Sequence, residues 1–84
     1  MESVKVVDRR KHVRKQRLWS ARITQGRSTW SCVIVEYSAG GARVRVPGAV
    51  RLALAPAKIS CVQLGEVTGT VVWQTGTDLG IKLA

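Results

Sequence analysis

The chain has 84 residues, 45% of them hydrophobic, which suits one folded domain burying around two-thirds of its unfolded surface, not a disordered chain, and leaves no room within these residues for a second domain. Fourteen Lys and Arg against five acids leave a net charge of +9, with nine of the fourteen in residues 1–27. That asymmetry favours an anionic partner docking near the N-terminal side over a cationic one.

Residues 1–16 show no strand alternation and hold most of the basic run Arg9-Arg10-Lys11-His12-Val13-Arg14-Lys15-Gln16-Arg17. They read as a flexible or ligand-ordered arm, with residues 17–84 as the folded domain. The N-terminus is charged, which does not resemble a secretory leader, and no apolar run approaches membrane-spanning length. A cytoplasmic protein without a membrane span is expected. Cys32 and Cys61 lie in apolar alternating stretches without CxxC spacing, so reduced core residues are expected.

Beyond the arm the pattern has period two. Trp19, Ala21 and Ile23 alternate with polar residues, a half-buried strand closed by Gln25-Gly26-Arg27. A second strand, from about Ser28 to Tyr37, is rich in β-branched and aromatic residues. Ser38-Ala39-Gly40-Gly41 breaks it, and the paired glycines permit positive φ and a sharp turn. A third strand, 42–46, puts Ala42, Val44 and Val46 on one face and Arg43 and Arg45 on the other.

Pro47-Gly48 ends that strand. The stretch to Pro56 fits an extended loop or a short strand, and the fencing prolines argue against helix. Lys58–Leu64 and Glu66–Gln74 form a predicted hairpin around Gly65. Thr75-Gly76-Thr77-Asp78 then turns the chain into a last strand, Leu79–Ala84. Six short strands without helical periodicity predict an all-β fold. A small antiparallel barrel is preferred to a sandwich because closure removes exposed edges.

Catalytic chemistry finds little footing. His12 is the only histidine, the five acids show no pairing for acid/base work, and one His with two distant Cys makes no metal site. No Walker-type phosphate loop is present. No enzyme, cofactor or metal is expected.

Binding is better supported. Arg10 and Arg14, with three residues between them, can grip phosphate bidentately and stack on a base. Taken alone, they are better explained as two members of a solvated basic cluster. Glu36 offers a carboxylate to the N–H donors of a guanine edge, Ser38 offers a hydroxyl, and Gly40 and Gly41 allow close backbone approach. Alone, these residues read as an ordinary glycine turn. Together and in this order, the two elements are more specific than either.

With these two motifs the chain resembles the PilZ domain family, the bacterial receptor module for cyclic di-GMP. The family signature is RxxxR followed by [D/N]xSxxG after the second strand. Arg10-Lys11-His12-Val13-Arg14 matches the first, and Glu36-Tyr37-Ser38-Ala39-Gly40-Gly41 stands for the second with Glu in place of Asp or Asn. Val71-Val72-Trp73 and Gly80-Ile81-Lys82-Leu83 resemble the closing strands.

The resemblance implies a six-stranded barrel whose arm wraps a dinucleotide in second-messenger signalling. Arg10 and Arg14 would contact phosphate and guanine, Glu36 and Ser38 a guanine edge, and Gly41 would permit the turn. Arg9 would reach a second stacked ligand. The extra methylene of Glu36 displaces its carboxylate, and a misplaced hydrogen bond of roughly 1–3 kcal/mol implies binding weakened about ten- to hundredfold. A downstream protein effector would receive the signal. The alternatives are a protein-interaction adaptor that has lost the nucleotide and a basic nucleic-acid-binding barrel; only Trp19 neighbours the basic run, thin support for the latter.

Overall fold

Alternating apolar residues between glycine-bearing turns produce six strands, described for residues 15–83 in a computed structural model. They are β1 (Lys15–Gln25), β2 (Ser28–Ser38), β3 (Gly41–Arg45), β4 (Pro56–Cys61), β5 (Gly65–Thr75) and β6 (Asp78–Leu83). All neighbours are antiparallel, and the order β1-β2-β3-β6-β5-β4 closes into a barrel. The expected all-β barrel is therefore present. β1 begins at Lys15, so the last two residues assigned by sequence to the arm are strand; Arg9, Arg10 and Arg14 lie outside the described residues.

The core follows from alternation. Ala21 and Ile23 of β1, Cys32 and Ile34 of β2, Val44 of β3, Ala57 and Ile59 of β4, Val71 of β5, and Leu79 and Ile81 of β6 point inward and are buried. Trp19, Trp30 and Tyr37 pack at its margin. Arg43 is half-buried and Arg45 exposed on the opposite face of β3, as the pattern predicts. The cysteines are unpaired, Cys32 buried and Cys61 half-buried. Burial, with the neighbouring Cys61 second, pushes the Cys32 thiol up to about 11.

Turn chemistry sets the hairpins. Gly26 and Gly76, at φ +63° and +58°, each open a two-residue loop, where a positive φ matches the twist of the flanking strands. Between β4 and β5 the loop is Val62-Gln63-Leu64, and Gly65 at φ +72° re-enters the ladder opposite Cys61. β4 thus stops at Cys61, short of the predicted Leu64, because the type of loop that ends on a left-handed glycine consumes three residues.

The stretch 46–55 is a loop and not a strand, and two glutamine side chains satisfy several of its backbone groups. Gln25 accepts from the Ala53 amide (2.8 Å) and donates to the Ala53 carbonyl (2.9 Å). Gln74 accepts from the Leu52 amide (3.0 Å) and donates to the Val50 carbonyl (2.8 Å). With those groups paired, Leu52 can bury in the core cluster.

Close approach of β5 and β6 requires a glycine at position 69. A Cβ there would stand 2.7 Å from the Lys82 carbonyl oxygen and 2.6 Å from Cγ2 of Ile81. Gly69→Ala is expected to cost roughly 1–3 kcal/mol by overpacking, read as a lower urea midpoint with an unchanged slope.

Candidate functional site

Two bulges build the site. Strict alternation would turn Glu36 into the core behind Cys32 and Ile34. Instead Ile34 pairs with Val44 and Glu36 with Arg43, leaving Val35 as an extra residue. The inserted residue reverses the faces, so Glu36 leaves the core and Tyr37 packs against it. In β5, Val71 pairs with Ile81 and Trp73 with Gly80, so Val72 is extra and Trp73 turns outward, 41% exposed.

The outcome is one row across four strands, with Glu36 opposite Arg43, Arg43 opposite Gly80 and Gly80 opposite Trp73. The Trp73 indole covers Gly80 so closely that a Cβ there would overlap the ring. A groove of about 230 Å³ beside it is lined by Gly40, Gly41, Arg43, Trp73 and Lys82, among others. A flat ring, guanidinium and ammonium charge, and a hairpin backbone suit a ligand with a planar base and an anionic group.

Arg43 is the electrostatic hub. It donates from Nη2 to Glu36 Oε2 at 2.9 Å and from Nη1 to Asp78 Oδ2 at 2.8 Å. Arg45 donates from Nε to Asp78 Oδ1 at 2.9 Å. Bonding to Glu36 first, and to Asp78 second, raises the Arg43 guanidinium above its ordinary value. The bond from Arg45, then that from Arg43, holds the Asp78 carboxyl below its ordinary value against the opposing effect of burial. Sequence reasoning placed Arg43 and Arg45 on the outer face but missed this ladder. The signal was the alternation of Arg43 and Arg45 with apolar residues, which needed the β6 register to give them a partner.

The motif residues meet at the β2–β3 hairpin. Ser38 pairs with Gly41 across the Ala39-Gly40 turn, and its Oγ donates a long 3.4 Å bond to the Gly41 carbonyl. The expected use of positive φ is not found at either glycine: the left-handed glycines are Gly26, Gly65 and Gly76. Gly41 answers a different constraint. A Cβ at that position would sit 2.8 Å from the Ile81 carbonyl oxygen, so glycine is required by strand packing. Gly40 has open space around it.

The root of the basic arm lies at the same end. Lys15 pairs with Tyr37 and Gln16 with Glu36, so the chain enters the barrel alongside the ExS segment. The Arg17 guanidinium lies 5.1 Å over the Trp19 ring, which tilts against Tyr37 at 6.0 Å. A third bulge, between Gln16 and Trp19, accompanies this entry and puts Leu18 at φ +67°, a costly conformation for a residue with a Cβ.

With this geometry in hand, comparison of the sequence with known families finds a match to the PilZ domain over residues 8–84. The chain belongs to the PilZ domain family. PilZ domains are of the cyclic di-GMP-binding type and are generally non-catalytic receptor domains. No curated protein matches the chain significantly. Among the described residues no cluster of His, Cys, Asp and Glu could hold a metal, and no helix is long and apolar enough to cross a membrane.

The ladder has a pH signature. Asp78 has a folded value below its ordinary 3.8, so its stabilisation is complete above that pH and is lost as pH falls through the folded value. Urea midpoints measured from pH 6 to pH 2 are expected to fall less steeply for Asp78→Asn than for the unsubstituted protein.

Proposed function

We propose that this PilZ domain is a bacterial cytoplasmic receptor for cyclic di-GMP, without catalytic activity, that grips the dinucleotide between its RxxxR arm and the ExSxxG hairpin. The observation that carries this reading is the register of β1 on β2. Lys15 stands opposite Tyr37, and Arg14 is the residue immediately before Lys15. Lys15, the first described residue after the arm, is thereby on the strand next to the one that carries Glu36 and Ser38. Arg10 and Arg14 supply phosphate and base contacts, Glu36 and Ser38 face a guanine edge, Gly40 and Gly41 let the protein backbone approach the ligand closely, and Arg9 serves a second stacked ligand.

The ladder bears on the Glu36 departure. Its Oε2 already accepts from Arg43, so a guanine edge must share that carboxylate with a guanidinium. Sharing fixes the direction of the carboxylate before the ligand arrives, while the longer side chain carries it further out than Asp would. Ordering of the arm on the ligand then presents a changed surface to a downstream protein effector.

Calorimetric titration with cyclic di-GMP tests the reading on three proteins. The unsubstituted chain is expected to bind, Arg14→Ala to lose at least tenfold in affinity, and Glu36→Asp to bind roughly tenfold tighter, a difference of about 1.4 kcal/mol. An affinity unaffected by Arg14→Ala would remove the clamp, and no heat at high ligand concentration would move the protein to the adaptor class.

A further inference from the structure

A second concave feature shares no lining residue with the Trp73 groove. It is a trough of about 860 Å³ that crosses β4, β1, β2 and β3 on the outside of the barrel. Three outward serines, Ser20, Ser31 and Ser60, line it, each exposed and too small to fill the space between strands. Val33 is half-buried within it, and Val62, 96% exposed, stands at one end. The trough spans three inter-strand spacings of about 4.8 Å, the length of roughly four or five extended residues.

Its charge has one sign. Arg22 and Arg45 line it and no carboxylate does. Arg22 is exposed and has no hydrogen bond or ion pair among the described residues, and Arg45 commits only Nε, to Asp78. The β1–β4 seam also opens here. These strands pair only through Arg22–Thr24 and Lys58–Ser60, so Ser20 and Ala21 continue past the last β4 partner.

We propose that this trough docks an extended, acidic segment of a partner protein. Carboxylates of the segment pair with Arg22 and with the Arg45 terminal nitrogens, and apolar side chains at alternate positions rest on Val33 and Val62. The serine hydroxyls take up backbone groups of the segment as it crosses the strands. A nucleic-acid strand fits less well, since no aromatic ring lines the trough to stack its bases.

The test uses the full chain and a fluorescein-labelled hexapeptide of alternating glutamate and valine, with an alternating lysine and valine peptide as control. Anisotropy is expected to show saturable binding of the acidic peptide alone, with amide shifts concentrated at Ser20, Ser31, Val33 and Ser60. Arg22→Glu should weaken binding at least tenfold. Arg27→Glu, an equal charge change in the β1–β2 turn, should weaken it less than threefold. Ser31→Trp, which fills the trough without altering charge, should abolish binding in a protein with an unchanged melting temperature. Equal losses from the two arginine variants, retained binding by Ser31→Trp, or displacement of the peptide by a single-stranded oligonucleotide that shifts the same amides would each overturn the proposal.

Discussion

Everything distinctive about the candidate site depends on two inserted residues, Val35 and Val72. A closed six-stranded barrel fixes which face of each strand is inside, and a strand in strict alternation has no means of changing face. Without the bulge in β2, Glu36 would be a buried carboxylate among Cys32, Ile34 and Val44, a position costing several kcal/mol unless fully paired. Without the bulge in β5, Trp73 would crowd the inner face beside Val71, Leu79 and Ile81. Each bulge moves a chemically useful side chain from the core to the surface, and the registers of β3 and β6 align the two on one row.

This explains which parts were legible in the sequence. Strands could be read because apolar alternation and glycine turns are local signals, and β1, β2, β3, β5 and β6 start or stop within a few residues of expectation. β4 was read too long because a three-residue loop with a left-handed glycine looks like continued strand until the pairing of Cys61 with Gly65 is known. The Pro47–Pro56 stretch stayed open between loop and strand for a related reason. Its side-chain partners, Gln25 and Gln74, stand more than twenty residues away.

The site was legible as a set of residues and not as a geometry. Ser38 and Gly41 were found by motif, yet Gly41 is required by the Ile81 carbonyl and not by a left-handed turn. Trp73 and Gly80 stand in segments that resemble closing strands, and Arg43 on an outward strand face, but none of the three is marked by its sequence as part of a site. A glycine under an indole is a cross-strand relation, visible only once Trp73 and Gly80 are known to be opposite. Likewise, two arginines alternating with valines mark an outward strand face without revealing that Glu36 and Asp78 lie within reach.

The charge ladder acts chiefly on position. Its side chains are 21–51% exposed, so each bond competes with water and contributes about 1 kcal/mol or less to stability. What the ladder does fix is direction. Arg43 holds one oxygen of Glu36 on the hairpin side, and Asp78 holds Arg43 and Arg45 on the other. Arg45 is the member common to the ladder and to the trough on the far strands. An event that draws Glu36 away from Arg43 leaves Arg43 with Asp78 as its remaining acceptor and alters how Asp78 divides itself between two guanidiniums. Arg45 is therefore the residue at which the charged row and the trough meet, and Asp78, outside the trough, is the carboxylate it shares with Arg43.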